Sequence, residues 1–178
     1  MTDEHHPKKR ETRLAYRLLG AIAIGLAAGY LSAPSQKHVC GSEDASTPVR
    51  HLQAIFDGQA RYYAAHGNRF IGSTGLTPGN PTRYMCAGSQ PKDYQATEST
   101  WSAPEWRALG FALTKPSHFA YEIITAGTGA DAHFTVRALG DLDCDGIHST
   151  FEIVGRINKD DPSALVGRHA VYSKGAGE

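Results

Sequence analysis

From Leu18 to Ala33 the chain reads LLGAIAIGLAAGYLSA, without a charge and apolar on every helical face. That pattern predicts a transmembrane helix. Its sixteen residues rise about 24 Å, a little less than the ~30 Å of a hydrocarbon core. Leu14 to Tyr16 add a turn, Arg17 can snorkel, and Pro34 ends the helix. The reading taken is a retained anchor. A signal peptide cut after Ala27-Ala28-Gly29 and a buried soluble helix are the alternatives.

Residues 34–47 are polar and turn-rich and read as a linker. A helix follows, with Thr47 as N-cap and Pro48 at its first position. Val49, Leu52, Ile55 and Phe56 share one face that Tyr63 extends, and Gly67 is the expected C-terminal cap. Residues 68–100 carry Gly, Pro, Asn, Ser and Thr throughout and read as a long irregular connection, pinned or functional. Ser102-Ala103-Pro104-Glu105 opens a short helix to Leu109, with Trp101, Trp106 and Phe111 as core anchors.

Three strands are expected after that: Phe119 to Thr125, His133 to Leu139 and Thr150 to Ile157. Ala126 to Asp131 is the Gly-rich turn between the first two, and an edge strand is expected near Ala170 to Tyr172. The predicted fold class is α+β: an N-terminal transmembrane helix, a linker, then one long helix packed on an antiparallel β-sheet. The organisation is a basic cytoplasmic segment 1–17, an anchor 18–33, a linker 34–47 and an extracytoplasmic domain 48–178.

Charge sharpens the topology. Lys and Arg balance Asp and Glu at 18 each, which gives no electrostatic case for nucleic acid. Residues 1–17 hold five basic and three acidic side chains, a net of +2 immediately before the span. The positive-inside rule then places the N-terminus in the cytoplasm and the domain in the periplasm or at the cell surface, as a single-pass protein of the inner membrane. Ala21, Gly25 and Gly29 recur every four residues and offer a close-packing face to another helix.

The sharpest chemical signal is residues 141–152, which match D-x-D-x-D-G-x5-E in full. Calcium takes about six to eight oxygens. Asp141, Asp143 and Asp145 supply alternate carboxylates, Ile147 a backbone carbonyl, Ser149 a direct or water-mediated oxygen, and Glu152 a closing pair. Gly146 permits the turn. His148 stands where an EF-hand carries an aliphatic residue, and strands flank the loop, so the expectation is an EF-like loop in a β context with structural calcium. A solvated acidic turn and a zinc site at Cys144 and His148 are the competing readings.

Three cysteines, Cys40, Cys86 and Cys144, predict one disulfide and one odd thiol if the domain is exported. Cys86 is the expected participant because it would staple the long loop; the pairing stays open. The histidines form no H-E-x-x-H, and the chain has no G-x-S-x-G, P-loop or dinucleotide fingerprint. No enzyme is expected.

Residues 51–157, about 60% of the chain, resemble the globular part of type IV pilin-like and pseudopilin proteins. The resemblance lies in Ile55 to Tyr63 (IFDGQARYY), Trp106 to Phe111 (WRALGF), Phe119-Ala120-Tyr121, Gly140 to Asp143 (GDLD) and Ser149-Thr150-Phe151. It implies a helix packed on an antiparallel sheet, a calcium loop in some members, and other pilin-like subunits, or the chain itself, as partners through Ala21, Gly25 and Gly29. Arg17 to Ala21 carries no Gly-Phe junction, so no prepilin-type cleavage is expected. The function so implied is a structural or assembly component of a type IV pilus or a type II secretion-like system. A tethered binding module, engaging a partner or surface polymer through residues 68–100, is the alternative.

Overall fold

The computed structural model describes residues 46–167 and 171–175. Helix α1, Ser46–Ala65, begins one residue before the expected cap. Its buried residues Leu52, Ile55, Phe56, Gln59 and Tyr63 recur at three- and four-residue spacing, so one stripe faces the core. Gly58 lies on that stripe because a Cβ there would sit 2.8 Å from the Leu109 carbonyl oxygen. The helix ends as expected, with Gly67 at φ 65° and the Asn68 N–H donating back to the Tyr63 carbonyl at 3.1 Å.

The sheet explains what that stripe packs on. Strands β3 (Phe119–Ala126), β4 (His133–Gly140) and β5 (Ser149–Ile157) form an antiparallel meander, each one residue longer than the alternation predicts. Two short strands share the outer edge of β5: β6 (Leu165–Val166) pairs at Arg156 and Ile157, and β7 (Val171–Lys174) pairs at Thr150 to Ile153. Phe119, Tyr121, Ile123, Phe134, Val136, Ala138, Phe151 and Ile153 point to the buried side and join Leu52, Ile55 and Phe56 in one core. His51 caps this core, its Nδ1 2.7 Å from the Tyr121 hydroxyl. Burial, and then the nearby positive charge of Arg50, lower the His51 pKa below its ordinary value.

The 68–100 connection is better built than its composition implies. It contains α2 (Pro81–Met85), capped by the Asn80 side chain, and the two-residue strands β1 (Cys86–Ala87) and β2 (Gln90–Pro91). Buried Gln59 holds its start, accepting from the Ile71 N–H at 2.9 Å and donating to the Ile71 carbonyl at 3.4 Å. The Thr74 and Thr77 amides then bond the free edge of β3 through the Ile123 and Tyr121 carbonyls. Helix α3, Pro104–Leu109, ends at left-handed Gly110. Its Trp106 is buried against Trp101 and Phe111 and donates Nε1–H to Thr77 Oγ1 at 3.0 Å.

The expected helical architecture needs correction. Among the described residues no helix is long and apolar enough to cross a membrane. The helix that packs on the sheet is α1, of 20 residues. Arg50, Asp57 and Arg61 on its other faces make it a half-polar helix of a globular core. The fold of the described residues is therefore α+β, a five-stranded antiparallel sheet with helices, and among them there is no transmembrane helix of the expected class. The single-pass inner-membrane localisation rested on that helix and falls with it. The expected span 18–33, its stripe Ala21, Gly25 and Gly29, and Cys40 lie outside the described residues.

Candidate metal centre

The acidic loop hangs between the ends of β4 and β5. Gly140 delivers it: a Cβ there would meet the Phe119 ring at 2.8 Å, so only glycine lets β4 pass so close to the core. Asp141 follows and is 1% exposed. Its Oδ2 accepts from the Thr82 hydroxyl of α2 and from the Gly146 N–H at 3.2 Å. His148 Nε2 lies 3.2 Å from the same Thr82 oxygen. The Thr82 proton is spent on Asp141, so the imidazole is the donor in that contact.

The rest of the loop is shaped by its own side chains. Asp143 Oδ1 accepts from the Asp145 N–H at 3.3 Å, and Asp145 Oδ1 accepts from the Ile147 N–H at 2.6 Å. These are Asx turns, which curl the backbone so that alternate carboxylates converge. Gly146 takes φ 89°, and Cys144 takes φ 63°, a left-handed conformation uncommon outside glycine. Cys144 is bonded to Cys86, 58 residues earlier, at the end of α2. Cys86 thus does staple the long connection, and it staples it to the acidic loop. One oxygen from each of Asp141, Asp143 and Asp145 falls within 4.8 Å of the others.

Two of the six expected ligands are engaged elsewhere. Ser149 is buried and its hydroxyl donates to the Gly175 carbonyl at 2.5 Å. Glu152 alternates with core-facing Phe151 and Ile153 and so lies on the opposite side of the sheet, where Arg137 Nε donates to it at 2.5 Å and Arg137 Nη1 donates to Glu122 at 3.0 Å. Strand periodicity alone puts that carboxylate across the sheet from its loop. The zinc reading is also corrected, because Cys144 is a disulfide sulfur and not a thiolate.

Among the described residues two buried side-chain polar atoms lack a hydrogen-bond partner, Trp101 Nε1 and Asp141 Oδ1. The first is an indole N–H in the aromatic core. The second belongs to a carboxylate whose other oxygen is held by two donors, at the closed end of the acidic cluster. Sequence reasoning did not find Thr82. The one signal pointing to its neighbourhood was Cys86, four residues on.

No protein-family model, no curated protein and no solved structure matches this chain.

Proposed function

We propose that the domain is a non-catalytic, pilin-like structural or assembly component whose 141–148 loop is closed by calcium. The observation that carries this reading is the orphaned, buried Asp141 Oδ1 beside two further carboxylates. An unpaired buried acceptor costs about 1–3 kcal/mol, and more when it is charged. Three converging carboxylates repel one another as well. A divalent cation offsets both costs, and a donor set made only of oxygens suits calcium better than a softer metal. Asp141 Oδ1, Asp143, Asp145 and the Ile147 carbonyl would hold it; bound there, it would neutralise charge and fix the loop.

The surroundings favour a structural role. The disulfide, Thr82 and the Asx turns all spend their bonding on holding one loop shape. The helix-on-meander layering and the disulfide-tied acidic loop support the resemblance to pilin-like globular domains. A cross-link of this kind persists in oxidising compartments.

Two measurements test the reading. Titration of chelator-stripped full chain with calcium should release or absorb heat with one saturable site. Sheared filament and secretion-complex fractions of cells that make the protein should contain it. A chain that binds no calcium loses the closed loop; a chain found only as a free monomer loses the assembly role.

A further inference from the structure

A cleft of about 690 Å³ separates the first two turns of α1 from the segment that leaves α3. Thr47, Arg50 and His51 line it from the helix, and residues 111–116 line it from the other side. That volume falls within the roughly 300–1,000 Å³ of small-ligand sites. The charge of its lining has one sign. Arg50 and Lys115 are exposed cations, and among the described residues neither has an ion-pair or hydrogen-bond partner. No carboxylate among the described residues lines the cleft. The positive end of the α1 dipole adds to the same sign. His51 belongs to that wall too: its Nδ1 lies 2.7 Å from the Tyr121 hydroxyl, and its other ring nitrogen has no hydrogen-bond partner among the described residues. A second cavity on the same segment, sharing Ala112, Leu113 and Thr114, shows the contrast. It is lined by both Glu98 and Arg107, so its charges are matched within the protein.

We propose that this cleft binds a small organic anion, its carboxylate or phosphate held by Arg50 and Lys115 and its apolar part lying on Phe111, Leu113 and Pro116. A cleft lined by one sign of charge concentrates ions of the other sign. The Arg50 guanidinium offers paired donors that match either oxyanion, and Lys115 adds a point charge. The Thr47 and Thr114 hydroxyls are uncharged donors that complete the same lining. The apolar residues between them give a ligand area that a bare inorganic ion cannot use, the arrangement in which a few polar groups orient a ligand and apolar surface adds affinity. A neutral molecule of the same shape leaves the two cations unmatched, and a cationic one adds to them. None of the residues of the acidic loop takes part.

The full chain is titrated calorimetrically with benzoate and with phenyl phosphate, which separate a carboxylate site from a phosphate site. Benzamide and benzylamine are the neutral and cationic controls of the same shape, and inorganic phosphate is the control without an apolar part. Saturable binding of at least one of the two aromatic anions is expected, with the controls much weaker. Arg50→Gln and Lys115→Gln should each weaken it about tenfold, the loss of one hydrogen bond to a charged group. Both positions are exposed, and an unchanged melting temperature verifies the fold. Lys159→Gln, an exposed cation outside this cleft, should leave the affinity as it was. In NMR the His51 ring signals should move with the anion while those of His133 and His148 stay. Benzamide binding as tightly as benzoate, inorganic phosphate binding as tightly as phenyl phosphate, or affinity unchanged in the Arg50→Gln, Lys115→Gln double variant each overturns the site. So does the absence of saturable binding by either aromatic anion. Binding that appears only in the Glu43→Gln, Asp44→Asn variant would assign the two cations to the chain's own acidic residues and overturn it as well.

Discussion

Arg137 Nε donates to Glu152 Oε1 at 2.5 Å, and this contact takes the twelfth residue of the acidic motif away from the motif's own loop. Arg137 sits between two carboxylates in one cross-strand row, Glu122 on β3 and Glu152 on β5. Removing one of them leaves the other in place. Both partners of the Glu152 pair are partly exposed, so it contributes about 0–1 kcal/mol. Glu152→Gln is expected to lower stability by no more than that and to leave the calcium response intact. Thermal melts with calcium and with chelator check both; loss of the calcium response would return Glu152 to the ligand set.

Calcium should stabilise the folded chain by linkage. At about tenfold excess over the dissociation constant, the gain is about 1.4 kcal/mol, or about 3–6 °C in melting temperature for a chain of this size. Asp141→Asn should abolish the gain. Magnesium, which demands a tight octahedron and keeps its waters, should give much less. A melting temperature indifferent to calcium, magnesium and chelator would reduce the loop to a solvated acidic turn.

The Cys86–Cys144 bond closes a long loop and holds Cys144 in a left-handed conformation inside the cation loop. The double variant Cys86→Ser, Cys144→Ser should lose about 2–4 kcal/mol. It should also bind calcium more weakly, because the Asx turns then lose their covalent tie to α2. Denaturant titration and calcorimetric titration of the same sample separate the two effects. Stability lost with calcium affinity unchanged would show that the disulfide serves the fold alone.

Gly155 faces Phe134 across the β4–β5 ladder, and a Cβ there would lie 2.2 Å from Phe134 Cζ. Phe134 has no room to retreat, since the Phe56 and Phe70 rings stand 5.3 and 4.9 Å from it, centroid to centroid. Gly155→Ala should therefore destabilise by overpacking, by about 1–3 kcal/mol. Its backbone φ is not in the left-handed region, so Gly155→Ala combined with Phe134→Leu should recover part of the loss. No recovery in the double variant would point to the backbone instead.

His51 gives the domain a pH dependence. Its folded pKa lies below the unfolded value, first through burial and then through Arg50. The unfolded chain therefore takes up the proton more readily. Stability is full above the unfolded value of about 6.5, and falls as the pH drops from there through the folded pKa. In the tautomer that leaves Nδ1 without a proton, Nδ1 accepts from the Tyr121 hydroxyl, and protonation removes that acceptor. In His51→Gln the slope of stability against pH as it falls below about 6.5 should flatten. An unchanged slope would assign it to another group.

Much of the fold was legible because its signals are local. Strand-like runs placed β3, β4 and β5, with alternation marking β4, and Gly67 ended α1 where left-handed glycine can. The contents of 68–100 were not legible. Helix α2 is five residues long, and β1 and β2 are two residues each. None is long enough to show a period, and each exists through what it touches. Strand β6 escaped notice for the same reason.

The sequence by itself determined the acidic loop, its turn glycine, the strands on either side of it and the involvement of Cys86 in a cross-link, because each depends on residues close together along the chain or on one side-chain type. Only the tertiary structure decided which cysteine pairs with Cys86, that Thr82 holds Asp141, and that Glu152 belongs to Arg137. The physical reason is the two-residue period of a strand. The motif's spacing counts residues along a curling loop, whereas β5 begins at Ser149, and from there each successive side chain points to the opposite side of the sheet. Ser149 then goes inward to Gly175 and Glu152 outward to Arg137, and neither destination can be read from a spacing of ligands.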